Sequence, residues 1–301
     1  MRCGVAGVDI TPDPGPVLQG HRNNNRSHSV LFPLEVRAIV FEEGETKIAI
    51  ASVDAIGVTL DTTDRIRTEI EKKCGIQGGH VMVVCSHTHC APPTVPYLGS
   101  MEANLDFVER IVSATVDSVE LANADLQPIS FGLGCGSVHF NISRRPIPGQ
   151  SGMAFNYGGL VDRRVRVLRL DKEDGNPLAV LFHYSCHTTT KHGSEGYISP
   201  DYAGIARQFV ESDLGCKALF LPGCFGNIRP AILGEGGGFA SASKEQLEAC
   251  GNELGREVCR VAGWLRSRES SGLMARTCPL KIPYGPPAHT EDEFREMSRR
   301  P

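Results

Sequence analysis

Nowhere in the 301-residue sequence does an apolar run approach the roughly 20 residues that a helix needs to cross a bilayer. The amino end, MRCGVAGVDITPDPG, has no basic start followed by an apolar stretch, so it carries no visible secretory signal. An excess of one charge is also lacking. A net charge of −4 with interspersed signs offers nothing to hold a phosphate backbone, so no nucleic-acid partner is expected. There is no internal repeat, low-complexity tract or long linker. Cysteine is not scarce, but its eleven residues are scattered and odd in number. Without an export signal they read as reduced thiols of a cytoplasmic protein rather than as a disulfide framework.

What is present is an ordinary globular composition, 41% apolar, in a chain long enough for one large domain or two smaller ones. Segments rich in β-branched residues alternate with helical patterns, which argues for an α/β or mixed α+β class. Strands are expected over Val36–Phe41, Lys47–Val53, His80–Cys85, Ile129–Leu133, Val165–Leu170, Leu178–Tyr184 and Lys217–Leu221. Helices are expected over Asp61–Lys73, Leu105–Ala122, Pro200–Ser212 (Ser199 capping, Pro200 in the first turn) and Ser243–Leu265. The last opens with Ser243-Lys244-Glu245-Gln246, a capping-box pattern. The Gly/Pro/Asn-rich span Asn141–Gly159 is too long for a bland turn, and loops of that length are usually functional.

Four apolar strands end in polar signatures: IAIASVDAIG at Asp54, VMVVCSHTHC at His87 and His89, AVLFHYSCHTTT at His183 and His187, and ALFLPGCFGN at Cys224 and Asn227. Ligands of open α/β sheets bind beyond the carboxyl ends of strands, so four such endings suggest one shared site. Residues two apart on a strand share a face, so His87 and His89 point into one cavity if the strand persists through them. If it breaks at Ser86 they diverge and one of them is lost as a ligand. His187 completes a three-nitrogen face suited to zinc. The plain alternative is that both histidines satisfy backbone carbonyls at a strand end, with Pro92-Pro93 stopping the ladder. A cysteine hydrolase using Cys186 or Cys224 is a further reading, weakened because Cys186 and His187, as strand neighbours, face opposite ways.

The ordered motifs resemble the neutral/alkaline non-lysosomal ceramidase family. Gly4-Val5-Ala6-Gly7-Val8-Asp9-Ile10-Thr11-Pro12 is similar to its opening DITP element, and Ser86-His87-Thr88-His89-Cys90-Ala91-Pro92 to its THTHSGP. The resemblance continues through Pro33–Ala38, Ser52-Val53-Asp54, Asn141-Ile142-Ser143-Arg144-Arg145, Ser185-Cys186-His187-Thr188, Ile198–Gly204 and Gly223–Pro230. It implies two packed mixed β-sheets flanked by helices, in α-β-β-α layers, over residues 1–266. Residues 267–301 would be a linker and the start of a further segment. It also implies a Zn2+-dependent hydrolase cleaving the N-acyl amide of a lipid or smaller substrate. On that pattern His87 and His187 bind the metal, His89 is the general acid/base, and Arg144 or Arg145 lies near the substrate.

Two departures stand out. Family members carry serine where this chain has Arg229, and aspartate where it has Asn227. Arg229 then either clamps a carboxylate or oxyanion, or pairs with a surface acid. The family's later glutamate and tyrosine zinc ligands have no counterpart before Pro301, so the chain reads as a fragment or shortened relative. Either residues such as Asp54, His183 or Asp201 substitute, or another chain contributes, or the metal is not held. The expected set is therefore His87 and His187 on metal, His89, Arg144 and Arg229 in catalysis, and Asn141, Arg145 and Asn227 on substrate. A relative that binds lipids or small molecules without turnover is the other outcome.

Overall fold

The long strands carry apolar residues on both faces, and that double burial dictates a layered fold. The computed structural model describes residues 1–20, 25–96, 101–269, 271–281, 283 and 290. In β3 (Glu35–Glu43), Ala38 and Val40 face one way while Ile39 and Phe41 face the other. The strand β9 (Pro177–Tyr184) likewise sends Val180, Phe182 and Tyr184 to one face and Ala179 and Leu181 to the other. Each strand must therefore be covered twice.

The remaining long strands are β1 (Arg2–Asp9), β4 (Thr46–Val53), β5 (Val81–Cys85), β6 (Gln127–Ser137), β8 (Arg164–Lys172) and β11 (Lys217–Pro222). They run in the order β11-β9-β8-β6-β1-β3-β4-β5. The middle of that order is joined only by Arg2↔Pro128 and Cys3↔Gln127. This thin seam lets the sheet fold into two four-stranded halves that face each other across one shared core, and β11 lies over β4 and β5. Helices α1 (Leu60–Cys74) and α2 (Leu105–Ala124) cover one outer face, and α3 (Asp201–Leu214) and α4 (Lys244–Trp264) cover the other. The mixed, four-layer α-β-β-α arrangement is the expected one.

The seven expected strands and four helices are all present, and Ser243 and Gln246 form the capping box. Three differences are informative. Strand β1 is not among the expected strands, because the two glycines of RCGVAGVD interrupt the apolar pattern. Gly4 is required there, since a Cβ would overlap the Ala122 carbonyl of α2. Two small sheets were also missed: β2 (Ser29–Val30) with β10 (Tyr197–Ile198), and β7 (Asn141–Ser143) with β12 (Ile228–Pro230). Strands of two or three residues leave no periodicity to read. Finally, α3 begins at Asp201, with Pro200 as its N-cap and no side-chain cap bond. Ser199 Oγ instead accepts from the Asp201 N–H at 3.0 Å, because Asp201 adopts φ 58° and turns its own carboxylate onto the Tyr202 N–H at 2.8 Å.

Among the described residues, those from 267 onward form no helix or strand. Of the linker and further segment expected over residues 267–301, only residues 283 and 290 are described beyond Lys281. No described helix is long and apolar enough to cross a membrane.

Candidate metal centre

The strand β5 ends at Cys85, so the ladder does break at Ser86, yet the two histidines converge. The expected divergence is wrong because His87 takes a left-handed conformation, φ 65°. Such a non-glycine residue costs of order 1–3 kcal/mol and persists only where its surroundings hold it. They do so here. The Ser86 N–H donates to the Val53 carbonyl at 2.9 Å and the His87 N–H to the Ala55 carbonyl at 2.9 Å.

The intervening threonines zip the motif to its neighbours. Thr88 Oγ1 donates to the Ser199 carbonyl at 2.7 Å, Thr188 Oγ1 to the Ser86 carbonyl at 2.7 Å, and the His89 N–H to the Thr188 carbonyl at 3.4 Å. The segment after β5 and the segment after β9 are thus mutually bonded. His187 itself is tied down through its N–H to the Ile228 carbonyl at 3.1 Å, against β12.

The result is a single group. Ligand-capable nitrogens of His87, His89 and His187 all lie within 4.8 Å of one another. Each ring also has its Nδ1 against a backbone carbonyl: His87 to Ile56 at 2.6 Å, His89 to Gly20 at 3.1 Å and His187 to Phe225 at 3.2 Å. A ring nitrogen facing a carbonyl must carry the proton, which leaves the opposite nitrogen, Nε2, with a lone pair. The two Nε2 atoms of His87 and His187 sit 3.0 Å apart. Two lone pairs at that distance repel unless a cation lies between or beside them.

A proton is a poor cation for this place. Burial, the neighbouring His87 and the Arg144 charge press the His187 pKa down to about 3, and burial chiefly lowers that of His87. Neutral imidazoles fixed by carbonyl partners are the usual ligands of a catalytic zinc, so the donor set fits such an ion. The carbonyl-satisfying role and the metal role therefore coexist, one at each nitrogen of the same ring.

Phe225 walls the group, its ring 4.7 Å from that of His87 and 4.9 Å from that of His187. Arg144 is half-buried and donates from Nε and Nη2 to the Gly226 carbonyl at 3.0 and 2.8 Å. Its charge is felt at His87, His187 and Arg229. Arg229 is 5% exposed and donates to the Thr189 carbonyl at 3.3 Å. No surface acid pairs with it among the described residues, which removes that alternative.

The other expected residues are not part of the imidazole group. Asn141 is buried and spends its amide N–H groups on the Asp162 and Ser185 carbonyls, 2.9 and 3.0 Å away. Asn227 lends its carbonyl to the Arg144 N–H at 2.8 Å, and Arg145 is exposed. None of the three suggested substitute ligands joins the group. Asp54 is fully buried in a two-pronged pair with Arg207, at 3.0 and 2.5 Å. His183 meets Arg166 at 3.1 Å, and the Asp201 carboxylate accepts the Thr190, Lys191 and Tyr202 N–H groups. The third nitrogen comes from His89.

Cys186 is buried and its thiol is pushed well up by desolvation, while Cys224 is exposed. Among the described residues, neither is hydrogen-bonded to a histidine.

Residues the sequence did not single out include Gly20 and Gly193. Gly20 has φ 116°, and a Cβ on it would overlap the His89 ring; one on Gly193 would overlap the His89 carbonyl. Both glycines form the wall against which His89 is set. An isolated glycine in a loop carries no signal of that kind.

The fold has counterparts. A chain titled neutral ceramidase from Pseudomonas aeruginosa superposes with a TM-score of 0.75 at 22% identity, over 87% of this chain and 45% of that one. In sequence, neutral ceramidases from Oryza sativa subsp. japonica and Pseudomonas aeruginosa are 23% and 24% identical over 69% and 77% of this chain. This chain spans only 28% and 37% of those relatives' lengths. The family profile described as neutral/alkaline non-lysosomal ceramidase, N-terminal, matches residues 2–229, three quarters of the chain. The chain therefore belongs to the neutral/alkaline non-lysosomal ceramidase family.

Proposed function

We propose that this protein is a zinc-dependent amidohydrolase that cleaves the N-acyl amide of a lipid or smaller substrate. The observation that carries the reading is the convergence of His87, His89 and His187, each with its Nδ1 on a backbone carbonyl. The family supports amide hydrolysis, and the donor set supports zinc.

His87 and His187, their rings fixed by the Ile56 and Phe225 carbonyls, would hold the ion. Zinc bound there supplies Lewis acidity, polarising an amide carbonyl and making water acidic enough to attack near neutral pH. His89, oriented by Gly20, takes the proton from the attacking water and returns it to the amide nitrogen as the C–N bond breaks. Water thus supplies the hydroxyl of the released carboxylic acid and the proton of the released amine. Phe225 keeps bulk water off the rings, and Arg144, anchored on Gly226, adds positive charge beside the carbonyl oxygen. The eleven unpaired cysteines support a reducing compartment, the cytoplasm.

Elemental analysis of the purified chain, with hydrolysis of ceramide and of a short fluorogenic N-acyl amide, tests this. Wild type should hold zinc and lose activity to a chelator. His89→Ala should keep the metal and lose roughly 10²–10⁴-fold in kcat. A metal-free protein with activity unchanged in His87→Ala and His187→Ala would end the proposal, and amide binding without turnover would make the chain a binding module. Loss of metal in His89→Ala would reassign His89 as a ligand.

A further inference from the structure

An arginine keeps its charge in any protein, so a buried one needs a counter-charge or a dense set of acceptors. Arg229 has neither. Its Nη2 donates to the Thr189 carbonyl at 3.3 Å and meets His192 Nε2 at 3.1 Å, and its guanidinium lies 4.4 Å above the Phe239 ring. Nε is buried with no hydrogen-bond partner, and no carboxylate among the described residues is in ion-pair range. An aromatic face returns only part of such a desolvation penalty.

The place of this charge matters as much as its isolation. Arg229 follows Ile228, whose carbonyl holds the His187 N–H, and it leans on the stretch Thr188–Gly193. That stretch touches the first histidine motif: the Thr188 carbonyl accepts the His89 N–H, and Gly193 abuts the His89 carbonyl. Arg144, tied to Gly226 on the turn before β12, adds a second guanidinium with no described carboxylate partner. Two guanidiniums beside a group of three neutral imidazoles leave a strongly cationic site, more so with a divalent ion present. A neutral amide offers nothing to balance it.

We propose that the substrate is anionic: an N-acyl amide bearing a carboxylate, which Arg229 grips with its fork. This rests on the hydrolase reading and names its substrate class. A planar fork with a free Nε matches the two oxygens of a carboxylate, where the serine of the relatives would offer one hydroxyl. The carboxylate belongs either to the amine side, as in an N-acyl amino acid, or to the acyl side, as in a dicarboxylic monoamide.

The test compares N-lauroylglycine with N-lauroylglycinamide, and the monododecylamide of succinic acid with its methyl ester, on wild type, Arg229→Lys and Arg229→Met. Wild type should favour the charged member of one pair by roughly 10- to 100-fold in kcat/KM, the range for a charge-assisted contact. Which pair it is identifies the side. Arg229→Met should bring the two members near parity with zinc content unchanged, and Arg229→Lys should fall between. Equal or better turnover of neutral amides by zinc-loaded wild type would overturn the proposal while leaving the hydrolase standing, as would a charge preference untouched by Arg229→Met.

A second arm needs no catalysis. Calorimetric titration with dodecylthioacetate, a thioether without an amide, and with its neutral amide reads the anion site directly. Arg229-dependent binding of the carboxylate supports the proposal even if hydrolysis of every amide fails. Absence of binding to an inactive wild type overturns it.

Discussion

Arg207 and Arg229 are both buried arginines, and their surroundings could hardly differ more. Arg207, on α3, meets Asp54 through two hydrogen bonds and lies 3.6 Å from Glu35. Around it Arg37 bonds to Glu35 and Glu211 and to the Ala218 carbonyl of β11, while Ser52 Oγ donates to the Phe220 carbonyl at 2.7 Å. Each guanidinium has carboxylate partners, two arginines against three acids, and the network ties β3 and β4 to α3 and β11. Arg229, at the mouth where the strands end, has carbonyl, imidazole and aromatic contacts but no anion among the described residues. Neutralised charge marks the place where the two halves of the sheet are joined. Charge left without a partner marks the place where a ligand is handled.

The largest expected effect lies at the mouth. His187→Ala removes one of the two nitrogens that face each other at 3.0 Å, and should abolish zinc retention and hydrolysis together. The network around Arg207 should be untouched, so circular dichroism and the unfolding midpoint of the metal-free protein should stay near those of the metal-free wild type. Collapse of the fold instead would mean that the mouth and the join are one cooperative structure.

Next comes the join. Arg207→Met strands the Asp54 carboxylate in a fully buried position, and breaking such a pair costs about 3–5 kcal/mol. Arg229→Met strands no carboxylate among the described residues and should change stability by less than about 1 kcal/mol, because removing an unpaired buried charge relieves a desolvation cost. Denaturant midpoints of the two variants sharpen the comparison. Equal losses would make both arginines structural.

The sequence announced the mouth better than the join. Four strand endings rich in His, Cys and Asn stand out against apolar runs, and His87, His89 and His187 do come together. The sequence also placed Asp54 and His183 at that mouth, yet they turn to Arg207 and Arg166. Nothing within the four residues around Asp54 could reveal a partner 153 positions away. His87 was legible as a residue but not as a conformation, since its left-handed φ is imposed by the Val53 and Ala55 carbonyls. The glycines that frame His89 were silent for the same reason. Local pattern exposes strands, helices and reactive side chains; the long-range partners that aim them appear only once the chain is folded.

A milder effect is expected from Gly20→Ala. The added methyl needs the space of the His89 ring and an unfavourable φ of 116°, so the imidazole must shift while His87 and His187 stay in place. Misplacing a catalytic group by about 1 Å can cost roughly 100-fold in rate. Zinc content should hold and kcat should fall, a split that places the fault in His89's orientation rather than in the metal. Equal loss of zinc would show that His89 is bound into the ligand set.

The smallest effect is the one that separates the metal reading from the thiol reading. Cys224 is exposed on the turn that also carries Phe225, so it is the cysteine nearest the mouth that solvent can reach. Cys186 is buried, and its thiolate is disfavoured by desolvation, which leaves it a weak nucleophile. Because Cys224 makes no bond to a histidine among the described residues, Cys224→Ser is a surface change worth about 0.5 kcal/mol of stability or less, and kcat should stay near that of wild type. Alkylation with iodoacetamide should leave the same residual activity in wild type and in Cys224→Ser. A variant with no turnover but full zinc would transfer the chemistry from the imidazoles to sulfur, and the mouth would then be a nucleophile's site with a structural metal beside it.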